Sequence, residues 1–429
     1  MRSALLSSLL QTGFNVLLYI VLIRLLPVEQ MRTWVLYVTV TAFADMARQG
    51  FVYNATVRFW AANPEHRGQI AGASLMLSLM ASGLAGCAVL ALSFPLSRLW
   101  GAPELPGLAA CYLPFAMAFG LLRWLEMLQI ASENFKAQVW SGGIFGGGLL
   151  AGVACLAFGG PITLFEVVQI QTVVAVVAAL FLIKKYGWPQ KMVFWDLVWM
   201  RELVRFGRVS AGTSLFSMLF NKADVLLLGA LLPGPAVVLY DAASRLYNYL
   251  DLPLNAISQV YYPKLSRAFG QQNRAEATQL FQSAVGQLLA VMAPLIVCFL
   301  VGAPLLIRLF CGEKYLAAAP LLQILVLATF AKPWGRVGGI MLDASGQPLA
   351  NFVLLVLSAA VTIGLNFTFI TLFGVWGAAV ASCLSLWITV VLGQCWLHRQ
   401  LPVNQSAIFQ ETRDALSGGR LFKKLIFSN

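Results

Sequence analysis

Charged side chains stand inside long apolar segments of this sequence, where their presence needs an explanation. An Arg, Lys or Asp at the centre of a membrane-spanning helix costs about 2.5–3.5 kcal/mol. Residues three or four apart are neighbours on a helix surface and can neutralise each other. Three pairs of opposite charge have this spacing, namely Asp45/Arg48, Arg123/Glu126 and Asp241/Arg245. Local ion pairs are therefore expected to explain part of this charge.

Five further charges in these segments are Lys222, Asp224, Asp251, Lys332 and Arg336. Lys222 and Asp224 are two residues apart and do not face each other, so Asp224 needs a partner on another helix. Lys332 and Arg336 share one helix face, have the same sign and lack a local counter-charge. They form either an anion site, for example for a phosphate, or two long side chains that extend to a nearby membrane surface.

Polar residues at helical spacing follow the charges along four segments. Such a face turns toward other helices or toward a water-filled cavity. Ordinary hydrogen bonds between helices would explain one face of this kind. Because the four segments are the first two of each half of the chain, we predict a shared central cavity. The polar residues are Ser8, Thr12, Asn15 and Tyr19; Thr41, Asp45 and Arg48; Ser210, Thr213, Ser214, Ser217, Asn221 and Asp224; and Asp241, Ser244, Arg245, Asn248, Asp251, Asn255 and Gln259.

The composition places these segments in a lipid bilayer. Hydrophobic residues make up 59% of the 429 residues and charged residues 11%, whereas a soluble domain carries about 25% charged residues. A membrane span needs about 20 apolar residues. The sequence therefore predicts an all-α polytopic membrane protein with about twelve spans in two six-helix lobes around a central cavity. The spans are predicted at 4–26, 34–59, 70–94, 108–131, 139–159, 164–184, 210–231, 236–260, 280–302, 316–341, 351–373 and 376–397.

The basic residues predict the orientation of these spans. Of the 29 Lys and Arg residues, 18 lie in loops on the side of the N-terminus or in the termini, and 5 lie in loops on the other side. Cytoplasmic loops collect Lys and Arg, so both termini are predicted to be cytoplasmic. The net charge of +12 is explained in this way, without nucleic acid as a partner.

The same layout predicts the domains. Residues 1–184 form one six-helix lobe, 185–209 a basic cytoplasmic linker, 210–400 a second lobe and 401–429 a basic cytoplasmic tail. The linker contains Trp188, Trp195 and Trp199 and is either an interfacial amphipathic helix or a simple connection with aromatic residues at the membrane surface. The tail is expected to lie on the membrane surface or to be disordered.

Several classes of function have no support in the sequence. The seven Cys show no CxxC spacing and there are two His, so neither a disulfide framework nor a metal site is indicated. The motifs GxxxxGK[ST], HExxH and GxSxG do not occur, which argues against an ATP-driven pump or a membrane protease. The run Gly146-Gly147-Gly148 is better explained by close helix packing. The first apolar run is long enough to be a retained span rather than a cleaved signal peptide.

Short motifs distributed over nearly the whole chain resemble those of the polysaccharide exporter and O-antigen flippase family, within the multidrug/oligosaccharidyl-lipid/polysaccharide exporter superfamily. Their order and spacing carry the resemblance. One departure is Met31-Arg32, where the family usually has an aromatic residue and Gly. The motifs are Leu22–Pro27, Ala44–Gly50 (ADMARQG), Asn221–Gly229 (NKADVLLLG), Tyr240–Leu246 (YDAASRL), Tyr262–Ser266 (YPKLS), Asp343–Pro348 (DASGQP) and Phe373–Ala379 (FGVWGAA).

The resemblance implies a two-lobed, V-shaped transporter of the bacterial inner membrane that works by alternating access and is not an enzyme. Its substrate would be an undecaprenyl-diphosphate-linked oligosaccharide. No cofactor is implied beyond a coupling ion, H⁺ or Na⁺. The implied partners are membrane lipids and, as neighbours, a polysaccharide polymerase and glycosyltransferases, and the protein would be a monomer. The cations of the cavity would bind the diphosphate and its acids would couple to the ion: Arg48, Lys222, Arg245, Arg123, Lys332 and Arg336 for the first role, and Asp45, Asp224, Asp241 and Asp251 for the second.

Three other functions fit parts of the pattern. A multidrug or small-molecule antiporter of the same superfamily should have an acidic cavity, whereas the charges inside the spans are six basic and five acidic. A lipid II flippase typically has two further spans, for which the chain has no room. A non-transporting membrane scaffold would not need the polar faces.

Overall fold

The structure, a computed structural model, describes residues 2–132, 134–189, 192–398 and 404–417. Within these ranges the chain is helical almost throughout and contains no strand. Short 3₁₀ turns occupy Pro64–His66, Glu313–Ala318 and Thr329–Ala331. The α-helices are α1 (Arg2–Leu25), α2 (Val28–Ala62), α3 (Arg67–Trp100), α4 (Leu105–Ala131), α5 (Lys136–Gly159), α6 (Leu164–Tyr186), α7 (Leu197–Leu231), α8 (Ala236–Asn248), α9 (Asp251–Gly270), α10 (Arg274–Phe310), α11 (Ala319–Ala328), α12 (Lys332–Ala344), α13 (Pro348–His398) and α14 (Gln405–Ser417).

Eight helical segments of the described chain are long and apolar enough to cross a membrane. The last of them, Leu349–Leu397, holds two spans, because the backbone of Gly374 leaves the helical conformation with φ 60° and ψ −139°. Gly377 lies directly against the carbonyl of Phe369, eight residues earlier. In a straight helix these residues would be about 12 Å apart, so the chain folds back at this point.

The three remaining spans are less apolar. They are α1, whose apolar part is Leu10–Leu25, the charge-bearing α2, and α8 together with α9. These are three of the four segments in which the sequence places polar faces. With the nine apolar spans they make twelve, so the predicted all-α fold with about twelve spans is confirmed.

Two predicted spans are broken, each at a proline. The predicted span 236–260 divides into α8 and α9, and Pro253 stands in the first turn of α9. The predicted span 316–341 divides into α11 and α12, and Pro333 stands at the start of α12. Proline has no N–H and its ring clashes with the carbonyl four residues earlier. For Pro253 and Pro333 those carbonyls belong to Tyr249 and Thr329, which lie at the breaks.

The helices form two compact units. One consists of Met1–Met218 with Pro233–Pro235, and the other of Leu219–Leu232 with Ala236–Asn429. In the first unit, α2, α3, α4 and α6 bury a common apolar core that includes Val52, Ile70, Trp124 and Leu182. The glycine run of α5 packs as the sequence predicts, since Gly146 lies against Phe14 of α1 and Gly148 against Val174 of α6.

The predicted linker is shorter than the sequence suggests. Residues 197–209 are neither an interfacial helix nor a loop, because they form the first turns of α7. The described residues between α6 and α7 pack on the first unit: the N–H of Val193 donates to the carbonyl of Gly68 at 3.3 Å, and the ring of Trp188 contacts that of Trp124. The apolar residues of this stretch, including Leu203, pack in the core of the first unit, so α7 begins earlier than the predicted span.

The tail was expected to lie on the membrane surface or to be disordered. Its described part is helical, and α14 packs along α10 within the second unit. Ile408 is fully buried, and Gly286 of α10 makes room for the backbone of Ile408 and Thr412. A glycine allows this close approach because a Cβ there would lie 3.0 Å from the Ile408 carbonyl oxygen. The basic residues Arg420, Lys423 and Lys424 lie outside the described residues.

The close turn in α13 generates the first prediction. A Cβ at position 377 would lie 1.9 Å from the carbonyl oxygen of Phe369, and the neighbouring atoms are backbone that cannot rotate away. Gly377→Ala is therefore expected to lower the stability of the purified protein by about 1–3 kcal/mol, measured as a fall in melting temperature in detergent.

Gly393→Ala is the matched control. Gly393 lies in the same helix with no atom within 4 Å of the added methyl group. Alanine is about 1 kcal/mol better than glycine in a helix, so this variant should melt at or above the wild-type temperature. Equal melting of the Gly377→Ala variant and the control would contradict the fold-back at Gly374.

Candidate functional site

An ion pair with an amide partner lies on α2 in the first unit. Arg48 donates from Nη2 to Oδ1 of Asp45 at 2.5 Å and from Nε at 3.2 Å. The side-chain amide of Gln49 donates to the other oxygen of Asp45 at 2.6 Å. The guanidinium of Arg48 is almost fully buried, with 7% of the side chain exposed. The three- and four-residue spacing of one helix surface therefore gives the carboxylate of Asp45 a partner on each oxygen.

A second ion pair lies on α4 and reaches α5. Nη1 of Arg123 donates to Oε2 of Glu126 at 2.6 Å, and the hydroxyl of Ser141 donates to Oε1 of Glu126. The guanidinium also lies 4.7 Å above the ring of Phe119. Its buried Nε has no hydrogen-bond partner in the described part of the chain. Arg123 thus keeps a donor available beside its ion pair.

Arg48 of the first pair and both members of the second pair line one polar cavity of about 270 Å³ in the first unit. Uncharged groups supply most of its remaining polar wall. Because Asp45 and Glu126 neutralise Arg48 and Arg123, the cavity is polar without a net charge. Its lining consists of Gln11 of α1; Arg48, Gln49, Val52 and Tyr53 of α2; Ser78 of α3; Arg123, Trp124, Glu126, Met127 and Ile130 of α4; and Gln138 of α5.

In the second unit, Asp241 and Arg245 form the ion pair that their spacing predicts. Nε of Arg245 donates to Oδ2 of Asp241 at 2.8 Å, and the side chain of Asp241 is 2% exposed. Both residues lie on α8, one turn apart. A carboxylate buried to this extent needs such a partner, since an isolated buried charge is expensive.

Asp224 of α7 has a partner on another helix, as expected, but that partner is a phenol and not a cation. The hydroxyl of Tyr240 on α8 donates to Oδ2 of Asp224. The N–H of Val225 donates to Oδ1 at 2.8 Å, and Ser382 of α13 lies 2.9 Å from the Tyr240 oxygen. Asp224 forms no ion pair within the described ranges, which makes it different from the other acids of the spans.

Lys332 has no counter-charge on its own helix, as expected, and is neutralised from another helix. Its ammonium pairs with Oδ1 of Asp251 and lies 3.8 Å from the ring centre of Tyr247. Lys332 stands twelve residues before the end of α12, which corresponds to about 18 Å along the axis. Extension to the membrane surface therefore does not explain this lysine, and the ion pair does.

Arg336 occupies the next turn of the same contact between α9 and α12. Its Nη2 donates to Oδ1 of Asn255, and each partner lies four residues beyond the Lys332–Asp251 pair. The two helices thus carry two successive contacts, one between opposite charges and one between a cation and a neutral amide. Arg336 is exposed and forms no ion pair within the described residues. The charge of Arg336 therefore remains available to a ligand.

The charges predicted inside the spans now divide into two groups. Eight of them form four ion pairs, which are Asp45–Arg48, Arg123–Glu126, Asp241–Arg245 and Asp251–Lys332. Lys222, Arg336 and Asp224 form no ion pair in the described part of the chain. The charges without an ion pair are therefore two positive and one negative. Of the two cations, Arg336 lies on α12, one of the interrupted helices of the second unit.

Sequence reasoning missed several of the polar residues that complete these sites. Tyr240 and Ser382 were not expected beside Asp224, nor Gln11, Gln138 and Ser141 beside the α2 and α4 charges. Gln11 is an amide inside the predicted span 4–26, and Gln138 directly precedes the predicted span 139–159; the position of Gln11 is a usable signal because polar side chains in lipid need partners. For Tyr240 and Ser382 the sequence carries no spacing signal, since the contacts join different helices.

The family model described as "Polysaccharide biosynthesis protein" matches residues 2–269, and a second model, MatE, matches residues 210–368. The first match covers more than half of the chain, so the chain belongs to the polysaccharide biosynthesis protein family. The predicted resemblance is thereby confirmed, and the chain is a multi-pass membrane protein.

Three curated relatives align with part of the chain. The probable low-salt glycan biosynthesis flippase Agl15 of Haloferax volcanii is 23% identical over 45% of this chain and 41% of its own length. The teichuronic acid biosynthesis protein TuaB of Bacillus subtilis is 26% identical over 52% and 46%. The putative O-antigen transporter of Escherichia coli is 27% identical over 48% and 50%. The chain spans about half the length of the curated relatives it matches.

Two solved structures share the fold over nearly the whole chain. One is titled as an inward-facing conformation of a multidrug resistance MATE family transporter of the MOP superfamily, with a TM-score of 0.79, 16% identity, and coverage of 95% of this chain and 99% of that chain. The other is the lipid II flippase MurJ in an inward closed conformation, with a TM-score of 0.73, 15% identity, and coverage of 99% and 93%. At these identities the likeness shows the fold.

The pair between the two broken helices generates the second prediction. Asp251→Asn removes the carboxylate and leaves the ammonium of Lys332 in the middle of a span without a counter-charge. The expected cost is about 1–3 kcal/mol, seen as a lower melting temperature in detergent. The double variant Asp251→Leu/Lys332→Met removes both charges and should recover part of this loss.

Arg308→Gln is the control for charge removal as such. Arg308 pairs with Glu313, but both side chains are more than 60% exposed, at 62% and 68%. Exposed pairs contribute about 0–1 kcal/mol, so this variant should melt close to the wild type. A double variant less stable than Asp251→Asn alone would show that the pair does not neutralise Lys332.

Proposed function

We propose that this protein is a flippase that moves an undecaprenyl-diphosphate-linked oligosaccharide across the bacterial inner membrane by alternating access. The family assignment supports a role in polysaccharide biosynthesis. Two of the relatives are named as a glycan biosynthesis flippase and as an O-antigen transporter. The proposal adds the substrate class, the membrane and the orientation, with both termini in the cytoplasm as the loop charges predict.

One observation carries the choice of an anionic substrate. Four of the five acids inside the spans form ion pairs with Arg or Lys, whereas Arg336 contacts the neutral Asn255 and its charge is not neutralised. A diphosphate is attracted to a guanidinium, which offers several donors in a fixed plane. We assign Arg336 as the main diphosphate contact. Lys332, held one turn away by Asp251, and Lys222 add further donors.

The cavity of the first unit suits a different part of such a substrate. Its charges cancel, and its wall offers three glutamine amides, a phenol and a hydroxyl besides the guanidinium N–H groups of Arg48 and Arg123. Neutral hydrogen-bond donors and acceptors match the hydroxyl groups of a sugar better than they match a phosphate. Arg48 and Arg123 would therefore bind sugar through N–H groups that their carboxylates leave unused.

Asp224 is the acid that the proposal assigns to ion coupling. Alone among the five acids of the spans it has no cationic partner in the described part of the chain, and its oxygens accept from Tyr240 and from Val225. A carboxylate in this position can take up H⁺ or Na⁺ without breaking an ion pair. Asp241, which the sequence offers equally for this role, is held by Arg245.

A multidrug antiporter is the second candidate, because a MatE model matches residues 210–368 and MATE transporters share the fold. Such a protein exports cations and would need an acidic site with capacity for them. Four of the five acids in the spans are paired with basic residues, namely Asp45, Glu126, Asp241 and Asp251. Asp224 is the only one of the five without a cationic partner in the described ranges. The balance of charge therefore favours the anionic substrate.

The third prediction tests Arg336 through its amide partner. Asn255→Asp places a carboxylate beside Arg336 and makes the second contact an ion pair like the first. The variant should fold as well as the wild type, yet surface glycan in cells that depend on this protein should fall about tenfold or more, since a charged hydrogen bond contributes about 1.5–3 kcal/mol. Arg336→Gln should show the same loss.

Protein level in the membrane is measured by immunoblot in the same cells. Arg308→Gln, which removes an exposed charge from the end of α10, serves as the control and should export glycan normally. Normal glycan export by both Asn255→Asp and Arg336→Gln, at wild-type protein level, would remove Arg336 from the substrate site.

A further inference from the structure

A groove between α2 and α7 in the first unit plays no part in the function proposed above. Arg58, Phe59, Glu202, Arg205, Phe206, Val209 and Ser210 line it, and its volume is about 670 Å³. Its wall combines aromatic and aliphatic side chains with two arginines. We propose that this groove binds the head group and one acyl chain of an anionic phospholipid, such as phosphatidylglycerol.

The groove lies where the contact between the two helices changes from backbone to larger side chains. Gly50 lies against Ala211, and Gly207 lies against the carbonyl of Phe51, so the backbones are in contact at this level. One turn further along α2, the amide of Asn54 donates to the hydroxyl of Ser210 at 2.7 Å. Beyond this hydrogen bond the helices contact each other through larger side chains, since the ring of Phe59 packs against those of Phe206 and Trp199.

From the positions of its arginines, we infer that one end of the groove lies at the level of the membrane surface. Arg58 is four residues from the end of α2, and Arg205 is eight residues from the start of α7. Aromatic rings and basic side chains gather at the helix ends on this side, with Arg67 over Trp60 and Lys185 over Trp140. Such a belt marks the region of the lipid head groups.

The order of side chains along the groove matches the order of groups in a phospholipid. Arg58 and Arg205 stand at the level of the head groups, and Glu202 lies nearly one turn further out. Val209 lies one turn below Arg205, about 6 Å deeper in the membrane, and is 69% exposed. An exposed aliphatic wall below two cations fits an acyl chain below a phosphate, whereas a soluble anion would leave this wall unused.

The charges of the groove select an anionic lipid. Neither Arg58 nor Arg205 forms an ion pair in the described part of the chain, so both guanidinium groups are available. Arg58 lies over the ring of Phe206 at 4.9 Å and over that of Phe59 at 5.9 Å, which fixes its plane. Glu202 at the outer rim is placed to accept from the hydroxyl groups of a glycerol head group.

The test uses the purified full-length protein after removal of native lipid. Native mass spectrometry measures the affinity of the first bound phosphatidylglycerol. The variant Arg58→Gln/Arg205→Gln should bind this lipid at least about tenfold more weakly, because basic residues at this level attract anionic lipids. The control Arg201→Gln/Arg208→Gln removes two exposed charges from the same end of α7, outside the groove, and should bind as the wild type does.

Binding of three further compounds is measured, to test whether the affinity depends on the charge of the head group, on the acyl chain or on the transported substrate. Phosphatidylcholine should bind the wild type at least about tenfold more weakly than phosphatidylglycerol, and glycerol phosphate should not displace the bound lipid. Equal loss in both double variants, equal binding of the two lipids, or displacement by glycerol phosphate would overturn the proposal. Preferential binding of undecaprenyl phosphate, lost in the Arg58/Arg205 variant, would assign the groove to the transported substrate and overturn it as well.

A second variant tests the contact with the acyl chain at a position where the substitution should not change the stability of the fold. Val209→Glu places a negative charge on the exposed apolar wall, where it touches no buried core. It should weaken phosphatidylglycerol binding by about tenfold or more while the melting temperature in detergent stays at the wild-type value. Unchanged binding by this variant would contradict the position of the acyl chain.

Discussion

The structure depends on the need to neutralise charge inside a lipid bilayer. A carboxylate or guanidinium in the span interior has no water to solvate it, so it must have a partner of opposite charge or a hydrogen-bonding ligand. In this chain the rule is met by four ion pairs, three on single helices and one between helices. The exceptions to the rule are therefore informative. Arg336 contacts the neutral amide of Asn255, whereas Lys332 one turn earlier pairs with the carboxylate of Asp251. Asp224 accepts a hydrogen bond from the phenol of Tyr240, whereas the other acids of the spans pair with cations.

The two prolines of the broken helices serve the same constraint. Pro253 and Pro333 each begin a new helix, and the first residue of each new helix is one member of the Asp251–Lys332 pair. Asp251 and Lys332 neutralise each other where the two spans are interrupted. The register of the two helices then places Asn255 beside Arg336 one turn later. The interruptions at Pro253 and Pro333 thus help to place Arg336 where a ligand can reach it.

Local chemistry could be predicted from the sequence, and long-range chemistry could not. The pairs Asp45–Arg48 and Asp241–Arg245 follow from helical spacing alone, and the number of spans follows from apolar runs. Lys332 looked unneutralised because its partner lies 81 residues earlier. Pro253 and Pro333 were visible signals of the breaks that the span prediction did not use. The cavity of the first unit combines residues of five helices, and only its arginines and acids stand out in a sequence.

We propose that charge pairing leaves this membrane protein with a site for an anion, at Arg336, rather than for a cation. The most direct measurement is equilibrium binding of undecaprenyl diphosphate and of an organic cation such as tetraphenylphosphonium to the purified protein. We expect the diphosphate to bind to the wild type, Asn255→Asp to weaken this binding about tenfold or more, and the organic cation to bind poorly to both proteins. Binding of the cation in preference to the diphosphate, unchanged by Asn255→Asp, would contradict this proposal.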